Sequence, residues 1–298
     1  MTSLLKIIGE ARKNKTAIGH FNISDLAGLK AIFEAAYALN LPVIIGLSEG
    51  EREFLGPTQA VALVASLREK YNFPIFLNAD HTHSLEKIKE AVESGYDAVI
   101  FDGSKLSWEE NIRETKKAVD LVRSLNKQIL VEGEIGYIGS SSEILRELPK
   151  GAAVSPEDLT TPAQAEEFVK KTGVDLLAPA VGNIHGMLVR QSSSDGGFES
   201  INPRLDIKRI AAIAKAVKTP LVLHGGSGTS DEDFVSAISS GVSIIHINTE
   251  IRVAWRRGLE EGLKKNPEEI APYKILSPAV EAVKTIVRNR LKLFSSQR

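Results

Sequence analysis

The chain has 298 residues, 43% of them hydrophobic, and its 37 lysines and arginines nearly balance 38 aspartates and glutamates, for a net charge of −1. Such a chain can bury a large core, and a balanced charge without a dense basic run argues against nucleic-acid binding. The absence of cysteine excludes disulfides, thiolate metal ligands and cysteine nucleophiles. Because we find no signal peptide and no apolar run of roughly 18 residues, we expect a cytoplasmic protein that does not enter a membrane.

Short β-branched apolar runs alternate along the chain with longer segments of helical period. After an amphipathic N-terminal helix, eight strands are predicted, at 17–23, 42–48, 74–80, 97–103, 128–136, 175–182, 220–226 and 243–249. Helix-start signals fill the gaps, namely Ser84, the capping-box pairs Ser107/Glu110 and Thr161/Gln164, and Ser155 followed by Pro156. Gly/Ser-rich segments at 140–143 and 191–200 are predicted as loop insertions and candidate lids.

This alternation predicts a (β/α)8 TIM barrel, with residues 1–298 forming a single domain that ends in a C-terminal helical extension. The alternative is an open, doubly wound parallel sheet. It is disfavoured because no GxGxxG motif follows the first strand.

All six histidines lie at or near the carboxyl end of a predicted strand; they are His20, His81, His83, His185, His224 and His246. A single histidine in such a position is most often a hydrogen-bonded core or rim residue. The strand ends of a barrel converge on one face, where active sites lie. Six histidines at these ends therefore indicate one polar site.

Carboxylates gather at the same rim, at Asp80, Asp102, Glu132 and Glu134. Imidazoles with a carboxylate and no thiolate suit zinc, or a divalent ion of similar preference, with a coordination position open to substrate. We predict His81, His185 and His224 as the metal ligands. Because neighbouring residues of a strand point to opposite sides, we expect Asp80 to face away from His81 and to be free to transfer protons.

A glycine-rich turn, HGGSG, joins the seventh predicted strand to the next helix. Successive backbone N–H groups and a serine hydroxyl in such a turn can bind a phosphate. Turns of this composition are often only turns, but the loops after strands seven and eight are where barrels frequently bind phosphate. The predicted strands contain no lysine, which disfavours a covalent Schiff-base mechanism.

Eight blocks spread over nearly the whole chain resemble the class II ketose-bisphosphate aldolases. They are FN (21–22), SEG (48–50), DH (80–81), DGS (102–104), VEGEIG (131–136), LAPAVGNIHG (177–186), LHGGSG (223–228) and NTE (248–250). The resemblance implies a metal-dependent, reversible aldol cleavage of a ketose 1,6-bisphosphate to dihydroxyacetone phosphate and an aldehyde, usually glyceraldehyde 3-phosphate. It also implies a zinc or similar divalent cofactor and a homo-oligomer, a dimer or a tetramer, and leaves a monovalent cation open.

The same resemblance assigns roles to individual residues. The metal is bound by His81, His185 and His224, Glu134 can approach it, and Asp80 is the acid or base at the C4 hydroxyl. Positions on the substrate side are Asn22, Ser48, Asp102, Gly186, Gly225, Gly226, Ser227, His246, Asn248 and Thr249. Among them, the dihydroxyacetone phosphate group is surrounded by Gly186, Gly225, Ser227 and Thr249.

Two positions depart from the family pattern. The lid after strand five usually carries a glutamate that shuttles protons at C3, where this chain has Ser142; we predict that Glu143, one residue later, is the catalytic acid. In the last strand the family usually has an asparagine that contacts the enediolate, where this chain has His246. We predict that His246 donates to the same oxygen; the alternatives are an additional metal ligand and a changed substrate.

Three functions are therefore open. Fructose 1,6-bisphosphate is the first expected substrate. Tagatose 1,6-bisphosphate or another phosphorylated ketose is the second. A catalytically impaired member with a regulatory or binding role, suggested by His246 and the displaced Glu143, is the third.

Overall fold

Eight parallel strands close into a barrel in the computed structural model, which describes residues 3–140, 142–191 and 198–296. The strands of the described part are β1 Ile18–Asn22, β2 Val43–Leu47, β3 Ile75–Thr82, β4 Ala98–Phe101, β5 Leu130–Ile135, β6 Ile144–Leu145, β7 Leu176–Pro179, β8 Met187–Gln191, β9 Phe198–Ser200, β10 Leu221–Leu223 and β11 Val242–Ile247. The barrel order is β1-β11-β10-β7-β5-β4-β3-β2. Each barrel strand overlaps one predicted run, so the (β/α)8 prediction is confirmed.

Helices cover the outside of the barrel, and three of them begin at predicted start signals. They are α1 Leu4–Asn14, α2 Leu26–Leu39, α3 Glu49–Leu55, α4 Pro57–Tyr71, α5 Leu85–Ser94, α6 Trp108–Leu125, α7 Pro162–Thr172, α8 Ile207–Ala216, α9 Asp231–Ser239, α10 Thr249–Lys265, α11 Pro272–Ile275 and α12 Ser277–Phe294. Ser84, Ser107 and Thr161 are N-caps whose side chains accept a backbone N–H. Among the described residues, no helix is both long and apolar enough to cross a bilayer.

The predicted helix start at Ser155 and Pro156 is wrong. These residues form a turn, in which Asp158 N–H donates to the Ser155 carbonyl at 2.9 Å. Thr160 then donates its N–H to the Ala180 carbonyl and its hydroxyl to the Ile135 carbonyl. These bonds tie the chain to the ends of two barrel strands, so the helix begins only at Pro162.

The amino end of the barrel is closed by α1. Its apolar face, formed by Leu4, Ile7, Ile8 and Ala11, is buried against residues near the strand starts, which include Ile18, Ile44, Phe76, Leu130 and Ile244. The C-terminal helix α12 packs against α2 and α10, and a Cβ at Gly258 would lie 2.7 Å from the Ala279 Cα, so α10 and α12 cross in close contact. The carboxyl end of the barrel is the end left for a site.

Short strands border the segments predicted as loop insertions at 140–143 and 191–200, and β9 lies within the second of them. β6 pairs in parallel with β8, and β8 pairs antiparallel with β9. Ser141 and residues 192–197, which belong to those predicted lids, lie outside the described residues. Met187 N–H donates to the Glu143 carbonyl at 2.9 Å, so the segment after β5 is tied to the segment after β7 beside the carboxyl end of the barrel.

Candidate active site

Two connected cavities open at the carboxyl ends of the strands. The inner one, a space of about 290 Å³ that includes open solvent, is lined by Asn22, Asp80, His81, Ser142, His185, Gly186, Gly225, Ser227, His246, Asn248 and Thr249. The outer one, of about 850 Å³, shares Asp80, His81, Ser142, His185 and Asn248 with it and adds residues such as Ser48, His83, Asp102, Lys105 and Arg252. Twelve of the sixteen residues predicted from the sequence therefore line one cavity or both.

The other four predicted residues line neither of these cavities. His224 and Glu134 are buried directly beside His81. Gly226 lies outside the cavity lining. Its N–H donates to the His246 carbonyl at 3.1 Å, and a Cβ would come within 2.8 Å of that oxygen. Glu143 is exposed, whereas its neighbour Ser142 lines both cavities.

An irregularity at the end of β3 turns His81 towards the site. The register between β3 and β4 shifts between Ala79 and Thr82, and His81 has a left-handed φ of 41°, a conformation that costs a non-glycine residue about 1–3 kcal/mol. Arg52 fixes this segment by donating to the Asp80 carbonyl and the Thr82 hydroxyl, both at 3.0 Å. Asp80 and His81 consequently line the same cavity, and the expectation that they face opposite sides is wrong.

The rings of His81, His185 and His224 surround one point. Their centroids are 4.6, 4.9 and 5.8 Å apart and their planes are inclined by 76°, 80° and 55°. One nitrogen of each ring lies within 4.8 Å of the others. A metal ion lies in the plane of each imidazole that binds it, so three inclined rings can direct their lone pairs at one ion.

Each of these histidines uses its other nitrogen to contact an oxygen. His81 Nδ1 is 2.9 Å from Asp102 Oδ2, His185 Nδ1 is 2.7 Å from the Gly139 carbonyl, and His224 Nε2 is 2.6 Å from Glu132 Oε1. Such contacts fix the ring orientation and the tautomer of a metal-binding histidine. They leave Nε2 of His81 and His185 and Nδ1 of His224 as the nitrogens for a ligand.

Glu134 supplies the local charge that a cation would balance. Both of its carboxylate oxygens are buried and without a hydrogen-bond partner among the described residues, and Oε2 is 3.3 Å from His224 Nδ1. Burial, followed by the nearby Asp102 carboxylate, raises the pKa of Glu134. A buried carboxylate without a hydrogen bond is costly, so these residues fit a divalent metal ion.

The ring environments differ in electrostatics. Burial lowers the pKa of His185 to about 3. Burial also opposes a charge on His81, but the carboxylates of Asp80 and Asp102 outweigh it and raise the pKa of His81 to about 9. In His224 burial is likewise outweighed, by Glu132 and Glu134, and the pKa is raised. The carboxylates thus favour positive charge on this side of the cavity.

His20 and His246 form a stack rather than a second ligand set. Their rings are parallel within 2° at a centroid distance of 3.5 Å, so no single ion can lie in both ring planes. Asn78 Nδ2 lies 3.1 Å from His20 Nε2. His246 Nε2 is buried without a partner among the described residues, and His246 lines the inner cavity. The stacked geometry disfavours a metal ion held by His20 and His246 together.

One carboxylate oxygen of Asp80 accepts a hydrogen bond, and the other is available to a ligand. Asn22 Nδ2 donates to Oδ2 at 2.9 Å, whereas Oδ1 has no hydrogen bond within the described part and lies 3.5 Å from His246 Nδ1. Burial opposes the charge of Asp80, but the imidazoles of His81 and His246 outweigh it and hold its pKa well below the usual value. The side chain is therefore a carboxylate that can accept a proton in the inner cavity.

The turn after β10 faces the start of α10. Ser227 Oγ accepts the N–H groups of Asn248 at 3.2 Å and of Glu250 at 3.1 Å. The first N–H groups of a helix have no intrahelical partner, so the start of α10 can offer N–H groups to a ligand. Gly225 has a φ of 59°, and a Cβ there would lie 2.1 Å from the Ile184 carbonyl. The helix end and this turn together can bind an anion.

The sequence analysis missed four polar residues that support these side chains: His20, Glu51, Asn78 and Arg252. His20 is noted there only as one of six histidines. Glu51 could have been found, because Ser48 and Glu51 form a capping box at the start of α3. Asn78 and Arg252 carry no local signal, since their contacts are with residues remote in sequence.

A parallel barrel with three histidines and a carboxylate at its carboxyl end defines a class of (β/α)8 enzymes that act with a metal ion. Residues 2–298 match the family described as "Fructose-bisphosphate aldolase class-II". The fructose-bisphosphate aldolase of Geobacillus stearothermophilus is 34% identical over 299 residues, which is 99% of this chain and 97% of that protein. The chain therefore belongs to the class II fructose-bisphosphate aldolase family, whose members are carbon–carbon lyases and are generally metal-dependent.

Further similarities cover the same length. The fructose-bisphosphate aldolase of Thermus caldophilus is 34% identical over 315 residues, covering 98% of this chain and 97% of that protein. The crystal structure of the YdjI aldolase from Escherichia coli K12 superposes with a TM-score of 0.78 at 30% identity, covering 99% of this chain and 98% of that chain. The family resemblance and the barrel fold predicted from the sequence are thus confirmed.

Proposed function

We propose that this protein catalyses the reversible aldol cleavage of fructose 1,6-bisphosphate to dihydroxyacetone phosphate and glyceraldehyde 3-phosphate. The observation that carries this proposal is the convergence of three inclined imidazoles, each with one nitrogen directed at a common point, beside Glu134, whose oxygens have no hydrogen-bond partner among the described residues, and the available oxygen of Asp80. The names of the Geobacillus and Thermus relatives support the choice of substrate.

His81, His185 and His224 would hold the metal, with Glu134 next to them, and zinc is the ion that this ligand set suits first. When bound, the ion supplies Lewis-acid stabilisation of negative charge on the ketone oxygen at C2. Glu132 and Asp102 orient two of the rings through their second nitrogens.

Each of the two cavities would bind one half of the substrate. The dihydroxyacetone phosphate half fits the inner cavity, where Gly225, Ser227 and the start of α10 offer N–H groups to its phosphate. The aldehyde half fits the outer cavity, which contains the cations Lys105 and Arg252. Asp80 belongs to both cavities, so its carboxylate can take the proton of the C4 hydroxyl as the C3–C4 bond breaks.

Other parts of the proposal concern the whole chain. We propose one domain including the C-terminal helices, a homo-oligomer (dimer or tetramer), and action in the cytoplasm. The proton at C3 is assigned to Glu143, whose exposed side chain has to turn inward to reach it.

Chelation tests the proposed function directly. We expect the protein to release triose phosphate from fructose 1,6-bisphosphate, to lose this activity when a chelator removes the metal, and to regain it with added zinc, because the metal is the proposed Lewis acid. Tagatose 1,6-bisphosphate, assayed in parallel, serves as the epimeric control. Cleavage that survives complete metal removal, or no cleavage of either sugar by the zinc-loaded protein, would contradict the proposal.

His246 favours a second candidate, an aldolase for another phosphorylated ketose, because its side chain lines the inner cavity and its Nε2 has no partner among the described residues. If His246 contacts the developing oxyanion, His246→Leu is expected to lower kcat by about 10²-fold. His246→Asn keeps a polar group there and is expected to retain more activity. Steady-state kinetics with metal analysis provide the measurement, and equal losses in the two variants would contradict the contact.

A further inference from the structure

One buried carboxylate, Glu51, accepts hydrogen bonds from groups on three different parts of the site. It lies in the first turn of α3 and is 6% exposed. Its Oε2 accepts from Asn22 Nδ2 at 2.9 Å and from the N–H and hydroxyl of Ser48 at 2.8 and 2.9 Å. Its Oε1 accepts from Arg252 at 2.7 Å and from the Ser24 hydroxyl at 3.3 Å. The two oxygens thus serve two separate sets of partners.

The hydrogen bonds at Oε2 connect Glu51 to the proton-transfer group, Asp80. Asn22 Nδ2 donates both to Glu51 and, at 2.9 Å, to Asp80 Oδ2. With both amide hydrogens directed at carboxylates, Asn22 Oδ1 is left without a partner among the described residues. Glu51 therefore fixes the amide that orients Asp80.

The hydrogen bonds at Oε1 connect Glu51 to the outer cavity. Arg252 lines that cavity, and its side chain is 43% exposed. A second guanidinium nitrogen donates to the Ser142 carbonyl at 3.3 Å. The guanidinium is thus tied between α3 and the loop after β5, and the Glu51 carboxylate balances its charge at the end of the cavity where the aldehyde half would lie.

We propose that Glu51 is a positioning and specificity-determining residue of the aldol reaction. The Oε2 contacts set the geometry of Asn22 and Ser48. The Oε1 contact restrains Arg252 and reduces the preference of the outer cavity for a phosphorylated over an unphosphorylated aldehyde. The inference rests on the proposed function, because it concerns the aldehyde half of that reaction.

Two substitutions separate the two roles. In Glu51→Gln the amide oxygen takes the Oε2 position, where three donors converge, and the NH₂ group then faces Arg252 as donor against donor. The pairing with Arg252 is lost while the contacts of Asn22 and Ser48 remain. Glu51→Asp keeps the charge but withdraws both oxygens by one methylene. Ser24→Ala removes only the 3.3 Å contact to Oε1 and is the matched control.

The measurement is the condensation of dihydroxyacetone phosphate with D-glyceraldehyde 3-phosphate or with D-glyceraldehyde, using full-length, zinc-loaded protein. We expect Glu51→Gln to raise the ratio of kcat/KM for the phosphorylated over the unphosphorylated aldehyde by about fivefold, the size of one partly exposed ion pair. In Glu51→Gln with Arg252→Gln, the ratio is expected to return to within about twofold of wild type. Glu51→Asp should keep the wild-type ratio and lower kcat with both aldehydes by about tenfold, because the reacting groups lose alignment.

An unchanged ratio in Glu51→Gln, or a raised ratio that persists without Arg252, would overturn the proposal. If Glu51→Gln does not fold, Glu51→Asp provides the test. A kcat/KM ratio in Glu51→Asp that departs from the wild-type ratio by more than about fivefold would also overturn the proposal. A wild-type protein inactive with both aldehydes would contradict the proposed function instead. The inference is then tested by thermal protection, since Glu51→Gln should increase the midpoint shift caused by D-glyceraldehyde 3-phosphate and leave that of D-glyceraldehyde unchanged.

Discussion

Replacement of Asp80 by asparagine is expected to lower kcat for cleavage by about 10²–10⁴-fold, the contribution typical of a positioned acid or base. The substitution keeps the shape of the side chain and an oxygen that can accept from Asn22, which bonds Asp80 at 2.9 Å. It removes the lone pair that takes the C4 hydroxyl proton. Steady-state kinetics with fructose 1,6-bisphosphate and metal analysis of the same preparation measure the effect.

The specificity of this result can be tested at a different carbon. Exchange of the C3 proton of dihydroxyacetone phosphate with solvent does not involve the C4 hydroxyl, so Asp80→Asn should retain this exchange and a full complement of metal. A loss of kcat smaller than about tenfold, or a loss that follows the metal content, would contradict the assignment of Asp80 as the proton-transfer group.

Replacement of His81 by alanine is expected to abolish stable metal binding and to lower activity by at least about 10³-fold, because two imidazoles and one carboxylate would remain to bind the ion. His83→Ala is the matched control. His83 lies two residues further on and also contacts Asp102, at 3.4 Å, but it is half exposed and is not one of the three inclined rings. The His83→Ala variant should retain one metal ion per chain.

Metal content after dialysis is measured on both variants and on the wild type. It shows which of the two histidines binds the metal. Equal metal loss in His81→Ala and His83→Ala would mean that Asp102, which both rings contact, matters more than the ligand identity. Stoichiometric metal in His81→Ala would contradict the proposed ligand set.

The barrel itself could be predicted from local patterns. Each strand is a short apolar run bounded by turn and cap signals, and the order of strands in a parallel barrel follows from their order in the chain. The positions of the six histidines at strand ends follow from the same patterns. The family blocks then linked His81, His185 and His224 to a metal and Asp80 to proton transfer, and these four residues do lie together.

Other features required side-chain directions that no local pattern contains. A left-handed turn at His81, held by Arg52, brings Asp80 and His81 to the same cavity although a regular strand would separate them. The loop after β5 exposes Glu143 and directs Ser142 inward. Neither outcome can be derived from residue types, because each depends on backbone angles set by packing.

What the sequence by itself determined is the set of chemical groups and the barrel end that holds them. It contains imidazoles and carboxylates at strand ends, no thiolate and no strand lysine. What only the tertiary structure decided is which groups meet. Glu132 orients His224 across 92 positions of sequence, and Glu51 binds Arg252 across 201. Contacts at such separations arise only in the folded barrel, because the packing of strands and helices remote in sequence brings these side chains within hydrogen-bonding distance.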